Sequence, residues 1–231
     1  MLELNTLSIQ QDGFRLAANF SVNAGEAVAI LGPSGGGKST LLMALAGFMP
    51  LSSGSLRWNG SDISTASPAE RPVSMLFQEH NLFPHLDIAQ NVGLGLRPDL
   101  KLSKANRVAV SATLTRVGLQ GKEAHLPHQL SGGQRSRASL ARVLLRQKPV
   151  LLLDEPFAAL GPALRKDMLA LVEEIRAEQN VTLLLVTHNP DEIKHFAEKC
   201  VFVDGGDVQP PVQTSQFFAE PSEAFKRYMG N

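Results

Sequence analysis

Apolar and polar positions alternate through Leu2–Ile9, Phe20–Val22 and Ser55–Trp58. This is the period-two pattern of half-buried strands, and it predicts an antiparallel β region near the N-terminus. Three other runs do not alternate. Ala27–Leu31, Val150–Leu153 and Thr182–Val186 are apolar almost throughout, as expected of parallel strands covered on both faces. Each is followed by polar or glycine punctuation and then a helical pattern, which is the strand–loop–helix rhythm of an α/β fold. Between about residues 86 and 146 the pattern turns mostly helical, with apolar positions three to four apart in Ser103–Val117 and Gly133–Arg146. An α-helical subdomain is therefore expected there, inserted between core segments 1–85 and 147–231 of a single domain. Asp204-Gly205-Gly206 reads as a turn after a strand, and Ser215–Tyr228 as short helices whose Phe217, Phe218 and Phe225 anchor in a core.

Composition narrows the class. The 231 residues can bury a sizeable core without staples. Lys plus Arg number 22, as do Asp plus Glu, so the net charge is zero. That gives no electrostatic case for a nucleic-acid partner, and none is expected. The single cysteine, Cys200, rules out a disulfide within the chain and reads as a small buried hydrophobe before Val201-Phe202-Val203. Met1-Leu2-Glu3-Leu4-Asn5 lacks the basic and apolar regions of a signal peptide. The longest apolar run, Leu41–Ala46, is far short of the roughly 20 residues a membrane helix needs. Any membrane role is expected to come through a partner.

The strongest chemical signal is Gly32-Pro33-Ser34-Gly35-Gly36-Gly37-Lys38-Ser39-Thr40, which fits G-x-x-x-x-G-K-[ST]. It follows the expected strand Ala27–Leu31 and opens an expected helix, Thr40–Phe48. Glycines let backbone N–H groups turn inward around an anion, and the helix points its positive end at the same place. Lys38 would serve the β- and γ-phosphates of ATP, and the Ser39 hydroxyl would ligate Mg2+. Val150–Leu153 ends in Asp154-Glu155. In an open parallel sheet ligands collect at the carboxyl ends of strands. Asp154 is expected to hold Mg2+ through water, and Glu155 to polarise an attacking water. A third site, Leu130-Ser131-Gly132-Gly133-Gln134, sets two glycines at a helix start, leaving bare N–H groups for an anion. One chain cannot easily bring this site and the phosphate loop to one nucleotide. Two copies, each capping the other's ATP, can.

These motifs resemble those of the nucleotide-binding subunits of ABC transporters, in family order and over nearly the whole chain. Gly32–Thr40 matches Walker A, Val150–Glu155 Walker B, and Leu130–Gln134 the LSGGQ signature without a change. Gln78, in Leu76-Phe77-Gln78-Glu79, matches the Q-loop, and His188, in Val186-Thr187-His188, the switch histidine. The resemblance implies that Ser131 and Gly133, in the Ser131–Gln134 turn with Gly132, contact the γ-phosphate of the other copy's ATP. It implies that Gln78 touches Mg2+ and relays nucleotide state, and that His188 holds the γ-phosphate and orients the water. The implied fold is a three-layer P-loop NTPase core with an N-terminal antiparallel β region and an inserted α-helical subdomain. The implied setting is a homodimer on membrane-spanning permease subunits, at the cytoplasmic face of the cell membrane, served indirectly by a solute-binding protein.

Two positions depart from the family. Ala158-Ala159-Leu160-Gly161 stands where S-A-L-D is usual; with the acid gone, looser coupling between the two ATP sites is expected. The aromatic that often stacks on adenine falls by spacing near Gln11, while Phe14 is close enough to serve and fits core packing equally well. A narrower likeness, to import ATPases for thiamine or thiamine pyrophosphate, rests on Arg71–Glu79, Asn81-Leu82-Phe83, Asn91–Leu96 and the short C-terminal region. Importers of polyamines, iron or sulfate are the alternative, many with a regulatory domain for which this chain ends too soon. The surface after Gln78, with Asn81, Leu82, Phe83 and Pro84, is expected to receive a helix of the membrane subunit. The span between Lys38 and Ser131 leaves no room for the coiled coil of chromosome-organising relatives. Glu155 and His188 together argue against a non-catalytic binding module.

Overall fold

A computed structural model describes residues 1–78 and 81–229; the side chains of residues 191 and 195 lie outside the description, as does Glu79 of the expected Q-loop motif. In chain order the elements are β1 (Leu2–Gln11), β2 (Phe14–Val22), β3 (Ala27–Leu31), α1 (Lys38–Ala46), β4 (Ser53–Trp58), β5 (Ser61–Asp62) and β6 (Val73–Leu76). There follow α2 (Ile88–Gly93), α3 (Lys104–Arg116), α4 (Gly132–Leu145), β7 (Val150–Asp154), α5 (Pro162–Gln179), β8 (Thr182–Val186) and α6 (Pro190–Phe196). The chain closes with β9 (Lys199–Asp204), β10 (Asp207–Val208), β11 (Val212–Gln213), α7 (Thr214–Ala219) and α8 (Glu223–Met229). No described helix is long and apolar enough to cross a membrane.

The chain divides into two compact units. The first contains Met1–Val73, Pro149–Asp154 and Arg176–Asn231. Its sheet runs in the order β5-β4-β1-β2-β10-β9-β3-β8-β7. The β1, β2, β4 and β5 pairings are antiparallel, whereas β9, β3, β8 and β7 are parallel. The two patterns in the sequence thus mark two regions of one sheet. The continuous runs Ala27–Leu31, Val150–Asp154 and Thr182–Val186 are buried at every residue. In β2 only alternate residues such as Leu16 and Ala18 are buried. That strand starts at Phe14, earlier than the pattern suggests, because outward-facing Ala17 blurs the alternation.

A buried arginine ties α1 to the rest of this unit. Arg71 is only 2% exposed. Its Nη1 donates to the Ala44 and Leu45 carbonyls at 2.5 and 2.9 Å, its Nη2 to Ser64 O at 2.8 Å, and its Nε to Ala66 O at 3.0 Å. Ala44 and Leu45 lie in the last turn of α1, whose carbonyls have no partner within the helix. Burial lowers the pKa of this guanidinium, though an arginine still carries its charge.

The second unit comprises Ser74–Lys148 and Glu155–Ile175. Its helices α2, α3 and α4 pack on one another. The helix starts carry their own caps. Asp87 accepts from Gln90 N, Ser103 from Asn106 N, and Ser131 from Gln134 N. Fully buried Asn91 organises the stretch before α2: its Oδ1 accepts from Phe83 N at 2.8 Å, while its Nδ2 donates to the Phe83, Leu86 and Asp87 carbonyls.

Candidate nucleotide site

In the first unit, three parallel strands deliver the expected residues to one edge of the sheet. β3 and β8 pair Ile30 with Val186, and β7 and β8 pair Asp154 with Val186. Adjacent strands lie about 4.8 Å apart. The loop that begins at Gly32, the turn Thr187-His188 and the carboxylate of Asp154 therefore leave the same end of the sheet. Asp154 is 4% exposed and His188 is exposed.

The phosphate loop is held by short contacts of its own. Gly36 N donates to Pro33 O at 3.1 Å, and Gly206 N, in the turn after β9, donates to Gly36 O at 3.0 Å. The Asp204-Gly205-Gly206 turn thus braces the loop, a contact that no local sequence pattern announces. Lys38 is buried, and its Nζ donates to the Gly32 and Pro33 carbonyls at 2.8 Å each. Two of the three ammonium donors fasten the loop's first turn. Glycine is required at two positions. Gly32 has φ 145°, and a Cβ there would lie 1.9 Å from Val203 O. Gly37 has φ 110°, and its Cβ would lie 3.0 Å from both Leu16 Cδ1 and Phe14 Cζ. Helix α1 starts at Lys38, two residues before the apolar pattern would place it, because the polar loop residues Lys38 and Ser39 form its first turn. Its N-cap is Gly37, which has no side chain to cap with, so the first N–H groups remain available to an anion.

Beside the loop is a cleft of about 280 Å³ lined by Gln11, Asp12, Phe14, Gly35, Thr40 and Met49. Phe14 therefore both packs over Gly37 and faces this cleft. Gln11 lines it too, where the spacing argument sets the base. The donors suited to Mg2+ also fit: the exposed Ser39 hydroxyl opens α1, α1 packs on β7, and β7 ends in the buried Asp154 carboxylate. Both are the hard oxygen ligands that this ion prefers.

The turn that carries His188 is knit on either side of the imidazole. Thr187 Oγ1 donates to Glu192 Oε2 at 2.7 Å and accepts from Asn189 N at 3.1 Å; Asn189 Nδ2 donates to Glu192 Oε1 at 3.2 Å. His188 Nδ1 lies 3.2 Å from the hydroxyl of Tyr228 in α8. Neither Glu192 nor Tyr228 is marked as a site residue by any motif of the sequence.

The remaining candidates belong to the second unit. Glu155 directly follows Asp154 in the chain and has φ 45°, a left-handed conformation that costs a non-glycine residue on the order of 1 kcal/mol or more. Its carbonyl accepts from Ala158 N at 3.3 Å. Gln78 is exposed. The Ser131–Gln134 turn is a reciprocal capping box: Ser131 Oγ accepts from Gln134 N at 3.3 Å, and Gln134 Oε1 accepts from Ser131 N at 2.9 Å. The S-x-x-Q spacing of the signature is itself the sequence sign of this box. A Cβ on Gly133 would lie 2.8 Å from Leu160 Cδ2, so any larger residue there has to push the Leu160 side chain aside. Gly161 supplies the carbonyl that accepts from Arg165 N at 3.0 Å, and the space around its Cβ position is open. Phe83 is 47% exposed, so it is a surface residue and not part of the core.

Residues 17–158 match the family model described as ABC transporter. The chain is 51% identical over 230 residues, covering 100% of both proteins, to the thiamine import ATP-binding protein ThiQ of Cereibacter sphaeroides. It is 50% identical to the protein of the same name from Mesorhizobium japonicum, covering 99% of this chain and 91% of that one. Among solved structures, the ATP-binding cassette MJ0796, in a dimeric post-hydrolysis state bound to ADP and Pi, superposes with a TM-score of 0.82 at 26% identity, covering 93% of this chain and 99% of that one. The cbiO1 protein of Clostridium perfringens, part of an ABC transporter complex, gives 0.82 at 29% identity, covering 99% and 94%. The fold class expected from the sequence, a P-loop NTPase core with an antiparallel β region and a helical insertion, is the fold of these cassettes. The chain belongs to the ABC transporter family, as one of its ATP-hydrolysing ATP-binding cassettes.

Proposed function

We propose that this chain is the motor subunit of an importer for thiamine or thiamine pyrophosphate. It works as a pair of copies, docked at the cytoplasmic face on membrane-spanning subunits that receive cargo from a solute-binding protein. The convergence of the Gly32–Thr40 loop, Asp154 and His188 at one sheet edge carries the ATPase reading. The cargo reading rests on the names of the full-length relatives.

In this reading the loop from Gly32 and Pro33 through Ser34, Gly35, Gly36 and Gly37 to Thr40 surrounds the phosphates, with N–H groups donated by its residues other than proline, and Lys38 neutralises the β and γ oxygens. Phe14 lies against adenine from the cleft beside Gly35. Ser39 and Asp154, with Gln78 as the family resemblance implies, would hold Mg2+, which would supply charge stabilisation for the transferred phosphoryl group. Glu155 takes a proton from the attacking water, and His188 holds the γ-phosphate. Ser131, Gly132, Gly133 and Gln134 cap the other copy's ATP from the head of α4. There Ser131 keeps a hydroxyl proton to donate while its oxygen caps the helix.

The test is reconstitution of the chain with its membrane subunits and solute receptor in lipid vesicles, with phosphate release and uptake of labelled thiamine as readouts. ATP-dependent thiamine uptake is expected, abolished by Glu155→Gln while ATP binding persists. Phosphate release no greater than that of Glu155→Gln refutes the motor. Uptake of a different small solute, with none of thiamine, refutes the cargo.

A further inference from the structure

The chain's single tyrosine sits against the histidine that the proposed mechanism uses. An exposed imidazole ordinarily samples several rotamers and two neutral tautomers. Here both freedoms are restricted. The turn is knit on each side of His188 by the side-chain Thr187–Glu192 and Asn189–Glu192 hydrogen bonds and by Asn189 N donating to Thr187 Oγ1. The ring is met at Nδ1 by Tyr228 Oη. Tyr228 is in turn seated on rings of the core, with centroids 5.9 Å from Phe202 and 6.1 Å from Phe225. Phe202 is 1% exposed and pairs across β9 and β3 with Leu31, the residue before the phosphate loop. The tyrosine is thus fixed to the same strand pair that carries the loop.

We propose that Tyr228 is a positioning residue for His188: its hydroxyl donates to Nδ1, which sets the ring orientation and places the neutral imidazole's proton on Nε2. A γ-phosphate oxygen can only accept, so the nitrogen that meets it must carry hydrogen. The tautomer selected by Tyr228 is the one that meets this requirement. The inference rests on the catalytic reading of His188 given above.

Tyr228→Phe keeps the ring and its aromatic contacts and removes only the hydroxyl. In the complex with its membrane subunits, this variant is expected to lower kcat for phosphate release about 3- to 10-fold, with KM for ATP changed less than about twofold. The melting temperature of the full chain should stay nearly constant. Side-chain nitrogen NMR of the full chain, with the His188 signals assigned by their loss in His188→Ala, supplies a readout that packing alone would not move. Neutral His188 should be predominantly protonated at Nε2 in the wild type and a mixture of tautomers in Tyr228→Phe. A wild-type kcat in Tyr228→Phe, or tautomer signals that the substitution leaves unchanged, overturns the proposal. If His188→Ala itself retains wild-type phosphate release, the catalytic reading of His188 falls, and this inference falls with it.

Discussion

Replacing Arg71 with methionine should destabilise the chain strongly although the residue lies outside the phosphate loop. Methionine approximates the aliphatic stem and removes the guanidinium, so the packing loss is small and the polar loss dominates. Four hydrogen bonds from a charged donor disappear, to Ala44, Leu45, Ser64 and Ala66. Each bond to a charged group contributes about 1.5–3 kcal/mol, and a buried carbonyl left unpaired costs about 1–3 kcal/mol. Two terms act in the opposite direction. The desolvation of a 2% exposed charge is relieved, and Ala44 O keeps its bond from Gly47 N. The net loss should be about 3–5 kcal/mol, a large part of the stability of a typical domain. Lysine keeps the charge, but a compact ammonium cannot reach four carbonyls spread around a planar fork, so Arg71→Lys should lose at least about 2 kcal/mol. Urea unfolding of the full chain measures both, with the midpoint expected to fall at constant slope. A loss below about 1 kcal/mol for Arg71→Met, or lysine matching arginine, would refute the assignment of Arg71 as the clamp on the end of α1.

Three further outcomes are expected. Gly161→Asp fits the open space at the start of α5 and should stabilise the helix by a few tenths of a kcal/mol. It should also raise the Hill coefficient for ATP in the complex; identical cooperativity removes the proposed role of the missing acid. The double substitution Leu82→Ala and Phe83→Ala should abolish transport while ATP affinity stays within about twofold, because Phe83 is exposed and Asn91 holds the adjoining backbone independently; intact uptake rejects this surface as the coupling site. Burial pushes the Cys200 thiol above its ordinary value of 9.0. A thiol reagent at pH 8 should therefore label the folded chain far more slowly than the unfolded one. The thiol ionises first in the unfolded state, so its contribution to stability is complete below pH 9 and is lost as pH rises further. Equal labelling rates would contradict its burial.

The parts of this molecule that were legible in the sequence are those whose causes are local. Val150–Asp154 and Thr182–Val186 announce buried parallel strands because every residue must be apolar when both faces are covered. The phosphate loop is legible because its backbone conformation demands glycine at fixed positions. β6 was harder to see because Ser74 interrupts its apolar run, although all four of its residues are buried. The start of β2 was hidden because alanine reads as apolar on either face. Arg71 and Asn91 carry no sign of their burial: an arginine or an asparagine is expected at the surface, and only the fold brings backbone carbonyls to meet them. Tyr228 and His188 are distant in sequence, so their contact follows from the packing of α8 on β9 and not from any spacing.

The same distinction separates what recognises a nucleotide from what prepares the site for one. The groups proposed to recognise it, Lys38, Ser39, Asp154 and His188, lie at strand ends and in a loop, where the sequence displays them. The groups that hold them come from elsewhere: Gly206 braces Gly36, Glu192 knits the turn around His188, and Arg71 fixes the far end of α1. Lys38 belongs to both sets, since its ammonium also ties the carbonyls of Gly32 and Pro33. Bonds that hold a loop in one shape reduce the ordering cost of binding, which favours affinity. Substitutions of the bracing residues should therefore weaken ATP binding through loop order while leaving every phosphate-contacting group in place. Substitution of Lys38 removes contact and order together.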